Sequence, residues 1–236
     1  MTNDCFQFRK FTIRQHRCAM KVGTDGTLLG AWAEALSGPC RILDIGTGTG
    51  LIALMMAQRF PEAHVVGIDI DGDAVSQARE NVMESPFSER VTIQHADAAV
   101  LQDTDGFDVI VSNPPYFMDS LTCPDSQRTM ARHGVSLSFE ALCASAFRLL
   151  KSDGIFSVVV PSDGRSRLEA SARLEGFFLS RVCLVRTTPQ KAPKRQLIEF
   201  RKQPVNELYI MEGVIEISTN VRSPWYQQLT QAFYIK

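Results

Sequence analysis

Arg41-Ile-Leu-Asp-Ile-Gly-Thr-Gly-Thr-Gly50 is the stretch of sequence that decides the fold. Its first five residues are mainly apolar, which predicts a buried strand over 41–45. Three glycines at alternate positions then permit a sharp turn in which the backbone can approach a ligand without Cβ clashes. The pattern over 51–60 is apolar almost all round and predicts a helix packed tightly on a sheet. Together these features predict the opening βα unit of a parallel sheet.

The pattern repeats outward from this stretch, because short apolar runs alternate with helical patterns along the chain. Further strands are predicted at 64–69, 91–95, 107–112 and 154–160, and further helices at 73–84, after an N-cap at Ser138, and at 162–175 with Gly176 as the stop. The strands 177–187 and 196–202 flank a basic loop, Pro189–Arg195, and predict a terminal antiparallel hairpin. We therefore predict a seven-stranded, doubly wound, mostly parallel α/β sheet.

One domain is expected, since the 236 residues show neither an internal repeat nor a low-complexity linker. We divide it into an N-terminal segment over 1–40, a core over 41–202 and a C-terminal extension over 203–236. The N-terminal segment is expected to cover the ligand of the glycine loop.

A second signal, Asn113-Pro-Pro-Tyr116, closes the predicted strand over 107–112. The glycine loop reads G-x-G-x-G, which disfavours the dinucleotide fingerprint G-x-G-x-x-G, and no G-K-[ST] follows it. A glycine loop followed by Asn-Pro-Pro-Tyr resembles the S-adenosylmethionine-dependent methyltransferases that modify a planar nitrogen, either a base amine or a glutamine amide. The resemblance implies the Rossmann-like class I methyltransferase fold and S-adenosyl-L-methionine as cofactor.

Three carboxylates lie at or just after the ends of successive predicted strands and suit such a cofactor. Asp44 can accept a hydrogen bond from an ammonium group or organise the turn. Asp69 can accept hydrogen bonds from both ribose hydroxyls, and Asp97 can accept one from the adenine amine. Asp69 or Asp97, taken alone, could instead be a loop-capping carboxylate. The cofactor-binding residues predicted for this edge are Asp44, Gly46, Thr47, Gly48, Gly50, Asp69, Ile70, Asp97, Ala98 and Asn113.

The tetrapeptide suggests how a poorly nucleophilic amine could be methylated. The side-chain oxygen of Asn113 and the carbonyl of Pro114 can each accept one amine hydrogen, which favours a pyramidal nitrogen and stabilises its developing positive charge. Pro114 and Pro115 stiffen the turn. Tyr116 offers a face on which the target base can stack, and Phe117 can assist it. No strong general base is required.

Flanking segments resemble more specifically the bacterial tRNA(Val) adenine-N6 methyltransferases. The resemblance lies in Phe11–His16, Lys21–Trp32, Ala131–His133 and Trp225–Tyr234, and so spans nearly the whole chain. It implies that Lys21, Thr24 and Asp25 lie near the methionine end of the cofactor. It also implies that the substrate is the adenosine 3′ of the anticodon of a valine tRNA. Arg132 and His133 could contact RNA phosphate, or they could form salt bridges in the segment that leads to the next helix.

The charge pattern is compatible with an RNA substrate, although the formal net charge is only −1. Basic residues cluster near the N-terminus and again after residue 185, and two such clusters could form a phosphate-binding rim. Lys191, Lys194 and Arg195 in the late loop are therefore predicted to bind tRNA. Solvated side chains on loops are the alternative interpretation.

Composition narrows the protein class and the compartment. No apolar stretch is long enough for a membrane span, and the N-terminus lacks a signal-peptide pattern. Six scattered cysteines without a C-x-x-C pair suggest reduced thiols in a cytoplasm, and isolated histidines suggest no metal. We expect a cytoplasmic enzyme, a monomer with no obligate protein partner.

Other functions are compatible with the tetrapeptide. Glutamine-N5 methyltransferases of release factors carry a sizeable helical domain before the cofactor loop, which the segment over 1–40 does not resemble. Guanine-N2 methyltransferases of rRNA usually show Phe at the position of Tyr116. DNA adenine methylation would need a target-recognition domain. An inert cofactor-binding RNA assembly factor would not need an intact catalytic tetrapeptide.

Overall fold

The computed structural model describes residues 4–18, 20–115 and 137–235. In chain order the strands and helices are β1 Cys5–Gln7, β2 Thr12–Arg14, α1 Thr24–Trp32, β3 Arg41–Ile45, α2 Leu51–Arg59, β4 His64–Asp69, α3 Gly72–Met83, β5 Val91–His95, β6 Phe107–Ser112, α4 Phe139–Leu149, β7 Leu150–Pro161, α5 Arg165–Glu175, β8 Phe178–Arg186, β9 Arg195–Arg201, β10 Tyr209–Val214, β11 Glu216–Ser218, β12 Val221–Arg222 and α6 Pro224–Thr230.

Eight of these strands form one sheet in the order β10-β8-β9-β7-β6-β3-β4-β5. All neighbouring pairs are parallel except the two that involve β9. The chain runs outward from β3 to β5, then returns to β6 and runs outward in the other direction. The strand order therefore reverses between β3 and β6. In open α/β sheets, ligands bind outside the carboxyl ends of the strands at such a point.

The predicted doubly wound α/β fold is confirmed, but the prediction of seven strands is wrong. Strand β10 adds an eighth strand, parallel to β8, at the edge of the sheet. The antiparallel hairpin of β8 and β9 is present, but β10 covers its outer edge. Strand β7 also begins at Leu150, four residues before the predicted start at Gly154.

Both faces of the sheet are covered by apolar side chains. On one face, α1, α2, α3 and α6 pack against side chains such as Val109 and Val111. On the other face, α4 and α5 pack against side chains such as Ile110 and Phe156. Burial of both faces explains why the central strands read as continuous apolar runs.

The two ends of the chain are packed against each other. Phe8 lies within 5.9 Å of the Tyr234 ring, measured between centroids. Arg9 donates from its backbone to Phe233 and from its side chain to Tyr234. The Tyr226 and Tyr234 hydroxyls lie 3.0 Å apart. Residues 203–235 are thus integrated into the fold through β10 and α6.

Candidate functional site

The carboxyl ends of β3 and β6 meet at the reversal of the sheet. Ile45 is paired with Ser112, and the Ser112 hydroxyl donates to the Ile45 carbonyl at 2.9 Å. The next residues along the two strands are Gly46 and Asn113. The predicted cofactor loop and the predicted catalytic tetrapeptide therefore begin side by side, although 67 residues separate Ile45 from Ser112.

The glycine loop has a backbone that other residues would strain. Gly46, Gly48 and Gly50 have φ angles of 72°, 55° and 81°. A Cβ at Gly46 or Gly48 would meet no atom within 4 Å, so the loop backbone borders open space. Gly50 is the N-cap of α2 and lies against Ala78 of α3. The loop thus presents bare backbone to a ligand at the N-terminus of a helix.

Asp44 organises this loop from beneath. Its Oδ2 accepts from the Thr47 hydroxyl at 2.7 Å and from the Ala53 backbone N–H at 3.2 Å, which ties the strand end to the first turn of α2. The side chain is fully buried, and its Oδ1 has no hydrogen-bond partner among the described residues. Burial raises the pKa of Asp44 to about 7, and the hydrogen bond from Thr47 opposes this rise.

Asp69 holds the loop from the neighbouring strand. Its two carboxylate oxygens accept from the backbone N–H groups of Gly48 at 2.9 Å and Asp71 at 3.0 Å. Asp69 stays partly exposed, and the following Ile70 is exposed. Each oxygen of Asp69 keeps further acceptor capacity for the predicted ribose contact.

Asp97 lies after β5, and its side chain accepts from the Ala99 backbone N–H at 2.8 Å, while Ala98 is buried. The loop-capping interpretation of Asp97 therefore describes one of its contacts. Its predicted contact with adenine stays a prediction.

Asn113 is half-buried, Pro114 is buried and Pro115 is exposed. A Cβ placed on Gly26 of α1 would lie 3.8 Å from the Asn113 amide nitrogen and 3.2 Å from a Leu51 methyl group. The first turn of α1 therefore lies beside both Asn113 and the start of α2. Four predicted substrate residues, Tyr116, Phe117, Arg132 and His133, lie outside the described residues.

The N-terminal segment reaches the same place through α1. Lys21 is exposed, and Thr24 and Asp25 begin the helix. Asp25 forms an ion pair with Arg195 at the start of β9. Burial raises the pKa of Asp25, and the positive charges of Arg195 and Lys194 oppose this rise. Sequence reasoning assigned the two partners to different ligands and missed their contact.

Two buried amides on α3 hold the N-terminal segment in place, and sequence reasoning missed both. The Asn81 side chain exchanges hydrogen bonds with the backbone of Arg14 and also donates to the Thr49 carbonyl at 2.8 Å. The Gln77 side chain accepts from the Arg17 backbone. The only sequence signal was their polarity on the otherwise apolar face of a helix.

Most arginines of the predicted basic clusters have partners within the chain. These pairs are Arg9 with the Tyr234 carbonyl, Arg14 with Glu80 and Glu84, Arg186 with Glu212, Arg195 with Asp25, and Arg201 with Glu199. Lys191 and Lys194 are exposed. Within the described ranges no group of acidic, cysteine and histidine side chains could hold a metal ion.

Comparison with known proteins agrees with this geometry. A family model described as a methyltransferase domain matches residues 36–202. A protein of Bacteroides thetaiotaomicron named tRNA1(Val) (adenine(37)-N6)-methyltransferase is 48% identical, with 100% of this chain and 99% of that protein covered. A protein of the same name from Flavobacterium johnsoniae is 40% identical, with 98% and 99% covered.

The chain belongs to the tRNA1(Val) (adenine(37)-N6)-methyltransferase family. Membership makes it an enzyme, a methyltransferase with S-adenosyl-L-methionine as its cofactor.

Solved structures agree on the fold of this methyltransferase. The crystal structure of a predicted O-methyltransferase from Agrobacterium tumefaciens matches with a TM-score of 0.69 and 21% identity, covering 89% of this chain and 96% of that chain. TrmN from Thermus thermophilus matches with a TM-score of 0.52 and 20% identity, covering 71% and 45%. Across the described residues, no helix has both the length and the apolar character to cross a membrane.

The residues present fit the cofactor of this methyltransferase family. The open space beside Gly46 and Gly48 leaves room for a ligand against bare backbone. The unpartnered Oδ1 of Asp44 is an acceptor under the same loop. Asp69 adds a partly exposed carboxylate at the neighbouring strand end. A ligand rich in hydroxyl and ammonium donors suits acceptors of this kind.

Proposed function

We propose that the protein transfers a methyl group from S-adenosylmethionine to the exocyclic N6 of an adenosine in tRNA, the adenosine 3′ of the anticodon of a valine tRNA. The name that the relatives carry over their whole length supports the substrate. The structural observation that best supports the reaction is the pairing of Ile45 with Ser112, because it sets the start of the glycine loop beside Asn113.

Each residue at the two strand ends has a role in this reaction. The cofactor supplies, when bound, a methyl group on a positively charged sulfur. Gly46, Gly48, Asp44 and Asp69 hold it at the carboxyl end of β3 and β4. Asn113 and the carbonyl of Pro114 accept the two amine hydrogens of adenine and orient the nitrogen lone pair. Catalysis on this view is positioning plus electrostatic stabilisation, without a dedicated base.

The remaining expectations follow the same proposal. Residues 1–236 form a single methyltransferase domain in which the segment over 1–40 covers the cofactor. Its packing along α3, through Asn81 and Gln77, supports that placement. The enzyme acts in the cytoplasm, where tRNA is, as a monomer that needs no protein partner.

Mass spectrometry of nucleosides tests the substrate. Valine tRNA from a strain that lacks the gene should contain one N6-methyladenosine fewer than wild type. The gene should restore it, and the Asn113→Ala variant should not. A tRNA pool that is unchanged, together with loss of a methylated glutamine in a release factor, would replace this proposal by the amide-methylating alternative.

A further inference from the structure

An ion pair links the start of α1 to the far half of the sheet. The N-cap of the helix is Gly23, which provides no side-chain hydrogen bond to the first turn. Asp25 stands in that first turn and pairs with the Arg195 guanidinium. A carboxylate in the first turn of a helix is also favoured by the helix dipole. Both side chains are largely shielded, with 27% and 16% exposed.

Arg195 is the fixed end of this pair. It is the first residue of β9 and is paired with Pro161 of β7 and Val185 of β8. The preceding Lys194 donates its backbone N–H to the Val185 carbonyl and accepts from the Ser162 backbone. Because β9 is antiparallel, its start lies at the same edge of the sheet as the carboxyl ends of β6 and β7.

Asp25 is the end of the pair that lies in α1, one residue before the part of the helix nearest Asn113. A Cβ built on the next residue, Gly26, would lie 3.8 Å from the Asn113 amide nitrogen and 3.2 Å from a Leu51 methyl group, so this turn is a neighbour of both side chains. A shift of this turn would therefore change the immediate surroundings of the Asn113 side chain. Small displacements of a positioned acceptor have large effects on rate.

We propose that Arg195 and Asp25 are positioning residues for methyl transfer: their ion pair fixes the first turn of α1 against Asn113. On this view Arg195 is not a phosphate contact for tRNA, and Asp25 acts through α1. The expected effect on methyl transfer rests on the proposed function, whereas the claim that the pair fixes the first turn of α1 does not.

The test compares Asp25→Asn, Arg195→Gln and the double variant with wild type. A matched control is the ion pair between Arg41 and Asp103, whose side chains have a similar exposure. Arg41 is the first residue of β3 and lies at the opposite edge of the sheet. The controls are Arg41→Gln and Asp103→Asn. Measurements are kcat and KM for tRNA, the salt dependence of tRNA binding, the affinity for S-adenosylhomocysteine, and amide hydrogen exchange over residues 24–28.

Each single substitution at the pair should lower kcat at least tenfold. The kcat of the double variant should be no lower than that of the less active single variant, because the two side chains act as one unit. KM for tRNA, its salt slope and product affinity should change less than threefold. Hydrogen exchange over 24–28 should accelerate at least tenfold. The control variants should change neither kcat nor this exchange by more than twofold.

Three results would overturn the proposal. A raised KM and a smaller salt slope for Arg195→Gln, without an effect of Asp25→Asn, would make Arg195 a phosphate contact. More than tenfold weaker product binding for Asp25→Asn alone would make Asp25 a direct ligand. Unchanged exchange over 24–28 would show that the pair does not hold α1, whichever RNA is methylated.

A wild-type enzyme that binds S-adenosylhomocysteine but leaves tRNA unmethylated would refute the proposed substrate instead. Hydrogen exchange would still decide whether the pair holds α1.

Discussion

Asn113 is the residue on which the proposed chemistry depends most directly. Its side chain is half-buried and lies beside the first turn of α1, next to the glycine loop. Asn113→Ala should lower kcat more than tenfold, since it removes an interaction made chiefly in the transition state. Affinity for S-adenosylhomocysteine, measured by calorimetry, should remain almost unchanged. A variant that retains more than about a tenth of wild-type kcat would exclude the acceptor role.

Asp69 combines two tasks, because it accepts from the Gly48 backbone and faces the cofactor edge. Asp69→Ala should weaken binding of S-adenosylhomocysteine by about 1–3 kcal/mol, the cost of unmatched donors. Asp71→Ala is a suitable control, since Asp71 is the N-cap of α3 and accepts from Asp73. Loss of that cap should reduce stability by about 1 kcal/mol and leave affinity unaltered. Equal affinity losses in both variants would show a general loosening of the loop.

The buried Asp44 carboxyl predicts a pH dependence of stability in the absence of cofactor. Burial raises the pKa of Asp44 to about 7, whereas the ordinary pKa of this side chain is 3.8. Between these values the folded state binds a proton that the unfolded state has lost, so stability should fall as pH rises through this window and level off above it. Urea unfolding from pH 4 to 8 should show this slope in wild type relative to Asp44→Asn. Parallel profiles would mean that the charged form is stabilised in the fold.

At the scale of elements, the central βα units could be predicted because their strands β3, β4 and β6 are largely buried and mostly apolar. The bounds of β3, β4, β5 and β6 agree with the sequence pattern. Strand β10 could not be predicted, since Tyr209 and Ile210 are exposed and no alternation of apolar residues marks it. The pair of Asp25 and Arg195 was equally invisible, because 170 positions separate two residues that only the sheet brings together.

Strand β10 is held to α6 by a contact that requires glycine. A Cβ on Gly213 would run into the indole ring of Trp225. Gly213→Ala should therefore displace the ring and lower the free energy of unfolding by about 1–3 kcal/mol, as overpacking does. Gly72→Ala, where the nearest atom lies 4.0 Å from the added Cβ, is the matched control and should be nearly neutral. Similar unfolding midpoints for both variants would show that β10 and α6 contribute little to the fold.

For the whole molecule, the carboxyl edge of the sheet gathers every described part of the candidate site. The glycine loop, Asn113, the start of α1 and the loop before β9 all lie there, and the net charge of the chain is only −1. Attraction of tRNA must therefore come from local positive charge and not from the overall field. Most nearby arginines are engaged within the chain, so the exposed Lys191 and Lys194 are the candidates that remain in the loop before β9.

Substitution of Lys191 and Lys194 by Gln should raise KM for tRNA without altering kcat or affinity for S-adenosylhomocysteine. If both lysines contact phosphates, the slope of log affinity against log salt concentration should decrease by about two units, one for each contact. Arg173→Gln is the control, because this exposed residue lies in the last turn of α5, at the opposite edge of the sheet. A double lysine variant with the wild-type slope would show that the RNA lies away from this loop.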